Sequence, residues 1–161
     1  MEYRINDNGI IENCQLSENL FLYDLLSAEM KESDIRYISE CLSVHIVHNL
    51  EMLAQNVLEP IIQAAGYVPI ITKGFYISYD HDVNRRQIEL SHIYGYATDL
   101  MVHDDISFIV QSLDKVDFDL ALYDFNSLHI QYRGSRNRHT TFRVKDMAQY
   151  EGFNHSLSYL G

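Results

Sequence analysis

The chain has 161 residues, a formal net charge of −11 at pH 7 and 47% hydrophobic residues, with only two prolines. This length and apolar content predict one ordered domain over residues 1–161, with a core at about residues 16–145. A chain this acidic lacks the clustered Lys and Arg that nonspecific nucleic-acid binding depends on, so we expect no nucleic-acid partner.

The sequence also argues against a membrane protein. No apolar run approaches the roughly 20 residues of a spanning helix, so we expect no membrane partner. The first residues, Met1 to Asp7, lack the charged and apolar regions of a secretion signal. We therefore expect a protein made in the cytoplasm without a signal peptide, and either kept there or exported by a route other than its own leader.

The first half of the chain predicts helices. Residues 1–15 are weakly patterned, an extended lead-in or an edge strand. Residues 16–26 predict a short apolar helix with Ser17 as its N-cap. Residues 43–65 predict a longer helix because apolar residues recur at three- and four-residue steps. Pro60 predicts a kink or break just before it, and Gly66 predicts the end of this helix.

The second half predicts mostly strands. Its segments, in chain order, are strands at 68–72 and 75–79, a polar loop at 80–89, a buried strand at 97–102, a helix from its cap Asp104 to Leu113, a strand at 118–124, a turn at 125–127 into an antiparallel strand containing His129, and a last strand at 141–145. Together they predict an α+β fold, a single domain in which a mainly antiparallel sheet packs on helices.

Three residues of this half suit a metal ion. His92 and Asp99 are separated by Gly95, through which a loop-to-strand connection brings both side chains to one point. His129 alternates with Leu128 and Ile130, so it faces a cleft if those two face the core. Two imidazoles and a carboxylate suit zinc and leave one coordination position open for a water molecule, whose pKa zinc lowers towards 7.

Two questions stay open at this point. A hydrolytic site needs a general base, and Asp124 is the carboxylate nearest to His129 in sequence, whereas Asp119 falls on the other face of its strand. Eight histidines and 23 acidic residues also produce accidental spacings. His45 and His48, for example, lie three residues apart on the polar face of a predicted helix.

Several motifs, taken in order, resemble the M15 zinc peptidases, the D-Ala-D-Ala carboxypeptidase and endolysin-like group related to the hedgehog fold. Where that family has Ser-Gln-His and then Ala-Ala-Asp, this chain has Leu90-Ser91-His92 and Ala97-Thr98-Asp99. The family's Phe-Asp-Gln-Leu-Ile-x-Glu, Trp-Val-His-Val and Asn-Arg motifs are matched, in order, by Phe118 to Asp124, Leu128-His129-Ile130 and Asn137-Arg138. The helix ending at Pro60 is similar to the helix before the family's central sheet.

The resemblance implies a zinc peptidase that acts on peptidoglycan peptides, of the D,D-carboxypeptidase or endopeptidase type. It implies that His92, Asp99 and His129 bind zinc and that Asp124 takes the place of the catalytic glutamate. It also implies a hedgehog-type, DD-peptidase-like fold over roughly residues 16–145.

Two positions depart from the family pattern. The family has Ser-Gly-Tyr-Arg-Ser where this chain has Lys73-Gly74-Phe75-Tyr76-Ile77, so Tyr76 replaces an arginine thought to hold the substrate carboxylate. A phenol supplies one hydrogen bond and no charged fork. Arg85 and Arg86 are the candidates to take over that contact. Asp124 is one methylene shorter than the family's glutamate, and catalytic geometry tolerates little misplacement.

Two functional hypotheses follow. The first is a zinc-dependent peptidase. The second is a structural or binding protein that reuses the fold, such as a phage virion component, with virion proteins or further copies of itself as partners; its 12 tyrosines suit protein interfaces. Separately, Tyr132 with Arg133, Arg136 and Arg138 indicates either a basic-aromatic patch for an anionic ligand or a salt-bridged loop.

Overall fold

The structure is a computed structural model that describes residues 4–9, 11–26, 42–76, 87–145 and 147. Its elements, in chain order, are a 3-10 turn (Leu22–Leu25), α1 (Val44–Leu53), a π turn (Ala54–Leu58), α2 (Glu59–Ala65), β1 (Ile70–Lys73), α3 (Gln87–Ile93), β2 (Ala97–Met101), α4 (Ser107–Ser112), a 3-10 turn (Leu113–Lys115), β3 (Leu120–Tyr123), β4 (Ser127–Gln131), a 3-10 turn (Gly134–Arg136) and β5 (Thr140–Arg143).

The five strands form one sheet in the order β1-β2-β4-β3-β5. The β1–β2, β2–β4 and β3–β4 pairs are antiparallel, and the β3–β5 pair is parallel. The predicted α+β fold with a mainly antiparallel sheet is therefore confirmed. The predicted hairpin is confirmed as well, because β3 and β4 pair directly across the short turn that joins them.

The predicted long helix is present as α1 and α2, joined by the π turn. Proline lacks the N–H that an α-helix needs and crowds the carbonyl four residues earlier, and the π turn ends just before Pro60 takes its place near the start of α2. Regular α-helical bonding is thus interrupted where the sequence predicted. Gly66, with φ 76°, ends α2 as expected.

The predicted helix at 16–26 is wrong. Only the single 3-10 turn forms there, and Ser17 does not cap it but donates a hydrogen bond to Glu59 Oε1 at 2.7 Å. The backbone N–H and side-chain amide of Asn19 donate to the same buried carboxylate at 2.6 and 2.9 Å. Glu59 therefore ties this segment to α2. Burial would raise its pKa, and these hydrogen bonds outweigh that and lower it.

Most strand boundaries in the second half differ from the sequence expectations by one or two residues, and three segments differ in other ways. The polar loop at 80–89 is wrong in its last part, because α3 begins at Gln87. Phe75 makes a single parallel bridge to Leu26, and the rest of the predicted strand, residues 77–79, lies outside the described residues. Helix α4 begins at Ser107, whose N–H donates to Asp105 rather than to the predicted cap Asp104.

The two faces of the sheet bury different clusters. Leu100, Leu128 and Ile130 face the main core, which they share with α1, α2 and α4. The opposite face carries a smaller apolar cluster around Leu120 and Leu122. His129 lies on this second face because it alternates with Leu128 and Ile130. None of the helices in the described part of the chain has the length and apolarity that crossing a membrane requires.

Candidate metal centre

Asp99 and His129 are brought together by strand register. Asp99 lies in β2, between β1 and β4, and its partner across the β2–β4 pair is His129. Directly opposed residues of an antiparallel pair project on the same face, with Cβ atoms about 5 Å apart. His129 Nδ1 lies 2.6 Å from Asp99 Oδ1.

His92 reaches the same oxygen from α3. It lies in the last turn of that helix, and a tight turn at Gly95 then leads the chain into β2. Gly95 has φ +74°, and a Cβ at this position would lie 2.9 Å from the carbonyl oxygen of Ile46. Only glycine fits both constraints without strain. His92 Nε2 consequently lies 3.2 Å from Asp99 Oδ1.

The three predicted ligands therefore form one cluster. Their nearest donor atoms all lie within 4.8 Å of one another, and both imidazoles are fully buried while Asp99 is 7% exposed. His92, Asp99 and His129 are close enough to bind a metal ion. Buried ionisable side chains of this kind are rare unless they are paired or hold a metal.

The hydrogen bond of His92 to Gly74 indicates which of its ring nitrogens carries a proton, and so what can lie between His92 and Asp99. His92 Nδ1 lies 3.0 Å from the carbonyl oxygen of Gly74, which only accepts hydrogen bonds, so Nδ1 carries a proton. In neutral His92 the Nε2 atom then carries a lone pair, which faces the carboxylate oxygen Oδ1 of Asp99. A proton or a cation has to lie between them. The Gly74 contact is also the outer hydrogen bond that orients a metal-binding imidazole.

His129 is oriented by Gln131. Gln131 Nε2 lies 2.9 Å from His129 Nε2, and both residues are buried on the same face of β4. An amide that donates here leaves the proton of His129 on Nδ1, against Asp99. The same amide rotated by half a turn accepts from Nε2–H and leaves the Nδ1 lone pair for a metal. Gln131 thus supports both the metal-free and the metal-bound tautomer.

The surroundings of the cluster lower the pKa of His129 and of Asp99. Burial lowers the pKa of His129, and the charges of His92 and Lys73 act in the same direction, against the opposing effect of Asp99. Burial would raise the pKa of Asp99, but the two imidazoles outweigh it and hold that pKa well below its ordinary value. A neutral imidazole and an ionised carboxylate are the ligand forms that bind metal.

Asp124, the predicted catalytic residue, lies in the β3–β4 turn. Its Oδ1 accepts hydrogen bonds from the N–H groups of Asn126 and Ser127 at 3.1 and 2.8 Å, and its Oδ2 accepts one from Met147 at 3.1 Å. It is half-buried and lines a surface cavity with Phe125 and Arg143. Its hydrogen bonds therefore hold the turn, and none of them joins it to the metal-binding cluster.

Of the three predicted substrate-binding residues, only Tyr76 is described; Arg85 and Arg86 lie outside the described residues. The Tyr76 ring lies 5.9 Å from the His92 ring, centroid to centroid. The ammonium of Lys73 lies 4.8 Å from the centroid of the Tyr76 ring. Tyr76 therefore borders the metal-binding cluster, and the ammonium of Lys73 lies over its ring.

Two of the three arginines after Tyr132, Arg133 and Arg138, form salt bridges to Asp119. Arg138 Nε lies 2.8 Å from Asp119 Oδ1 and Arg133 Nε lies 3.5 Å from Asp119 Oδ2. Asp119 is fully buried, so these contacts compensate a carboxylate taken out of water. Of the two interpretations of this segment, the structure favours the salt-bridged loop.

Sequence reasoning missed three groups at the site. Gln131 could have been found, because it lies two positions after His129 in an alternating strand and so shares its face. The carbonyl of Gly74 and the ammonium of Lys73 carried no such signal, because each depends on how β1 is placed beside β2 and α3.

Comparison of the chain with family models, curated proteins and solved structures gives no significant match. The M15 resemblance therefore stays a prediction that rests on the motifs themselves.

Proposed function

We propose that this chain is a zinc-dependent peptidase that acts on peptidoglycan peptides, of the D,D-carboxypeptidase or endopeptidase type. One observation carries the proposal. The buried Asp99 Oδ1 faces two imidazole nitrogens, and one of them, His92 Nε2, has its lone pair towards it once Nδ1 has donated to Gly74. A bound cation satisfies all three donor atoms together.

The donor set suits zinc. Two imidazoles and one carboxylate are a common set of protein ligands for catalytic zinc, with an open position for water or substrate. When bound, zinc would polarise a substrate carbonyl and lower the pKa of a water molecule towards neutrality. His92, Asp99 and His129 would hold the ion, with Gly74 and Gln131 orienting the two imidazoles.

Asp124 is the residue that we assign to proton transfer. It follows Leu122, the cross-strand partner of His129, by two positions, and so lies in the turn that joins β3 to the strand of His129. Three N–H groups occupy its oxygens, and a carboxylate has about four acceptor sites, so one site is left to take a proton. The turn would thus hold the proposed base in one position.

The test is digestion of purified muropeptides by the zinc-loaded protein. Asp124→Asn keeps an acceptor for the turn N–H groups but cannot take the proton, so we expect it to fold and to lose about a hundredfold or more in rate. His92→Ala should lose zinc and activity together. The matched control is Asp24→Asn, which changes another half-buried carboxylate that accepts a hydrogen bond from a backbone N–H, that of Phe21. An Asp124→Asn variant as active as the parent would contradict the proposal.

The second candidate is a structural or binding protein that reuses the fold, for example a phage virion component. The burial of both imidazoles favours it, because a closed site suits metal that stabilises rather than reacts. Zinc bound tightly by a protein that cleaves no muropeptide, together with a stable oligomer in sedimentation experiments, would support this candidate. Turnover by a strictly monomeric protein would contradict it.

A further inference from the structure

The helix that carries His92 ends in a tight, hydrogen-bonded turn. The N–H of Tyr96 donates to the carbonyl of Ser91 at 2.8 Å, and the N–H of Gly95 donates to the carbonyl of His92 at 3.1 Å. Together with the positive φ of Gly95, these two bonds form a Schellman motif. His92 lies inside this motif, so a change in the separation of Ser91 and Tyr96 would move its imidazole relative to Asp99.

Arg133 contacts both ends of this motif from the loop after β4. Its Nη2 donates to Oγ of the buried Ser91 at 3.4 Å, and its guanidinium carbon lies 5.6 Å from the centroid of the Tyr96 ring. A guanidinium can donate hydrogen bonds from its fork and also pack on an aromatic face. Arg133 therefore joins the residue before His92 to the residue from which the chain enters β2.

The loop that carries Arg133 is itself held in place. The N–H of Arg133 donates to Asn137 Oδ1 at 2.7 Å, and the N–H of Asn137 donates to the carbonyl of Gly134 at 3.2 Å. The guanidinium also lies 3.5 Å from the buried carboxylate of Asp119. The backbone of Arg133 and its head group thus each have an anchor, and the contacts with the Schellman motif are made from a fixed base.

We propose that Arg133 is a positioning residue for the metal centre, which holds the turn between α3 and β2 and so sets the place of His92 relative to Asp99. The inference rests on the metal binding that the proposed function requires, and it adds the loop after β4 to the site. These contacts depend on the planar fork of a guanidinium as well as on its charge. A lysine here would keep the charge and lose the fork.

The competing explanation is that Arg133 only neutralises Asp119. Arg138 already does so, because its Nε and Nη2 donate to the two carboxylate oxygens at 2.8 and 3.1 Å and its N–H donates to Oδ1 at 3.1 Å. The side chain of Arg133 is 37% exposed, and an ion pair of that kind contributes little to stability. Loss of Arg133 should therefore change the metal site more than the stability of the fold.

The experiment uses cobalt(II) as the probe, because its visible absorption depends on the geometry of its ligands. Arg133→Met loses the fork, so we expect it to bind cobalt about tenfold more weakly than the parent, as when outer contacts of metal ligands are removed, and with an altered spectrum. Arg133→Lys should stay weaker than the parent. Arg136→Met, at an exposed arginine of the same loop, is the matched control and should equal the parent. Urea unfolding of the metal-free variants should change little.

The outcomes separate this inference from the proposed function. Unchanged affinity and spectrum in Arg133→Met, or full recovery of both in Arg133→Lys, overturn the role of Arg133 even if muropeptides are cleaved. A weaker affinity with an unchanged spectrum and an equal loss of stability overturns it as well. A weaker site with an altered spectrum, in a protein that cleaves no muropeptide, supports the role of Arg133 and contradicts the peptidase proposal. A parent that binds neither cobalt nor zinc contradicts both.

Discussion

Asp99 and His129 face each other across the β2–β4 pair, with His129 Nδ1 2.6 Å from Asp99 Oδ1. Two of the three residues proposed to bind the metal are thus placed by the hydrogen-bonding register of adjacent strands. A slip of one residue would move either side chain to the opposite face of the sheet. Asp99 and His129 therefore depend on two adjacent interior strands of the sheet, and His92 depends on the connection from α3.

That connection gives the first prediction. Gly95→Ala should destabilise the protein more than Gly66→Ala, although both glycines have positive φ. The backbone conformation alone costs about 1–2 kcal/mol with a Cβ. At Gly95 the added Cβ also meets the Ile46 carbonyl at 2.9 Å, for about 1–3 kcal/mol more, whereas nothing lies within 4 Å at Gly66.

The measurement is the free energy of unfolding in urea, with zinc content as a second readout. Gly95→Ala should lose zinc affinity as well, because the turn sets the distance from His92 to Asp99. Equal destabilisation of the two variants would show that the close approach to α1 has no energetic importance.

Gln131 gives the second prediction. Gln131→Leu removes the partner of His129 Nε2 at nearly constant volume and should weaken zinc binding about 10- to 100-fold, as removal of outer hydrogen bonds to metal ligands does. Gln131→Glu can only accept from Nε2–H, so it should keep zinc affinity or raise it. Gln111→Leu, at an exposed position of α4, is the control. Competition with a chelating dye measures the affinities; a Leu variant that binds zinc like the parent would mean that Gln131 does not set the tautomer.

The third prediction concerns pH. The pKa of His129 is lowered in the folded protein. As pH falls, the unfolded chain therefore binds more protons than the folded protein does. In the metal-free protein the contribution of His129 to stability should be complete above about pH 6.5, the ordinary pKa of histidine, and should be lost as pH falls below it. The lowered pKa of Asp99 acts in the same direction in more acidic solution.

Urea unfolding of metal-free protein from about pH 8 to about pH 5 measures this slope. His129→Gln should flatten it, whereas His45→Gln, at an exposed position of α1, should leave it unchanged. A parent protein that gains stability on acidification in this range would contradict the buried neutral state of His129.

The sequence predicted the sheet, the long helix and the three clustered side chains because each left a local pattern. Alternation placed His129 opposite Leu128 and Ile130, and Pro60 and Gly66 marked the interruption and end of a helix. The helix predicted at Ser17 failed for a tertiary reason. Ser17 serves the buried carboxylate of Glu59, 42 positions away, and local capping rules contain no information about that contact.

The contacts on which the proposed function depends likewise join residues that are far apart in the sequence. The pairing of Asp99 with His129 and the contact of His92 with the Gly74 carbonyl depend on how separate elements pack. Asp124 was correctly expected near the hairpin, but its hydrogen bonds to the turn appear only in three dimensions. The sequence pattern identified the residue types at the site, and the packing of the elements determines what each residue contacts.

The central claim is that His92, Asp99 and His129 bind one zinc ion. Elemental analysis of protein purified without added metal or chelator tests it most directly, with Asp99→Ala as the variant and Asp105→Ala as the exposed control. We predict close to one zinc per chain in the parent and the control and little in Asp99→Ala. No zinc in the parent even after reconstitution, or iron in its place, would contradict the claim.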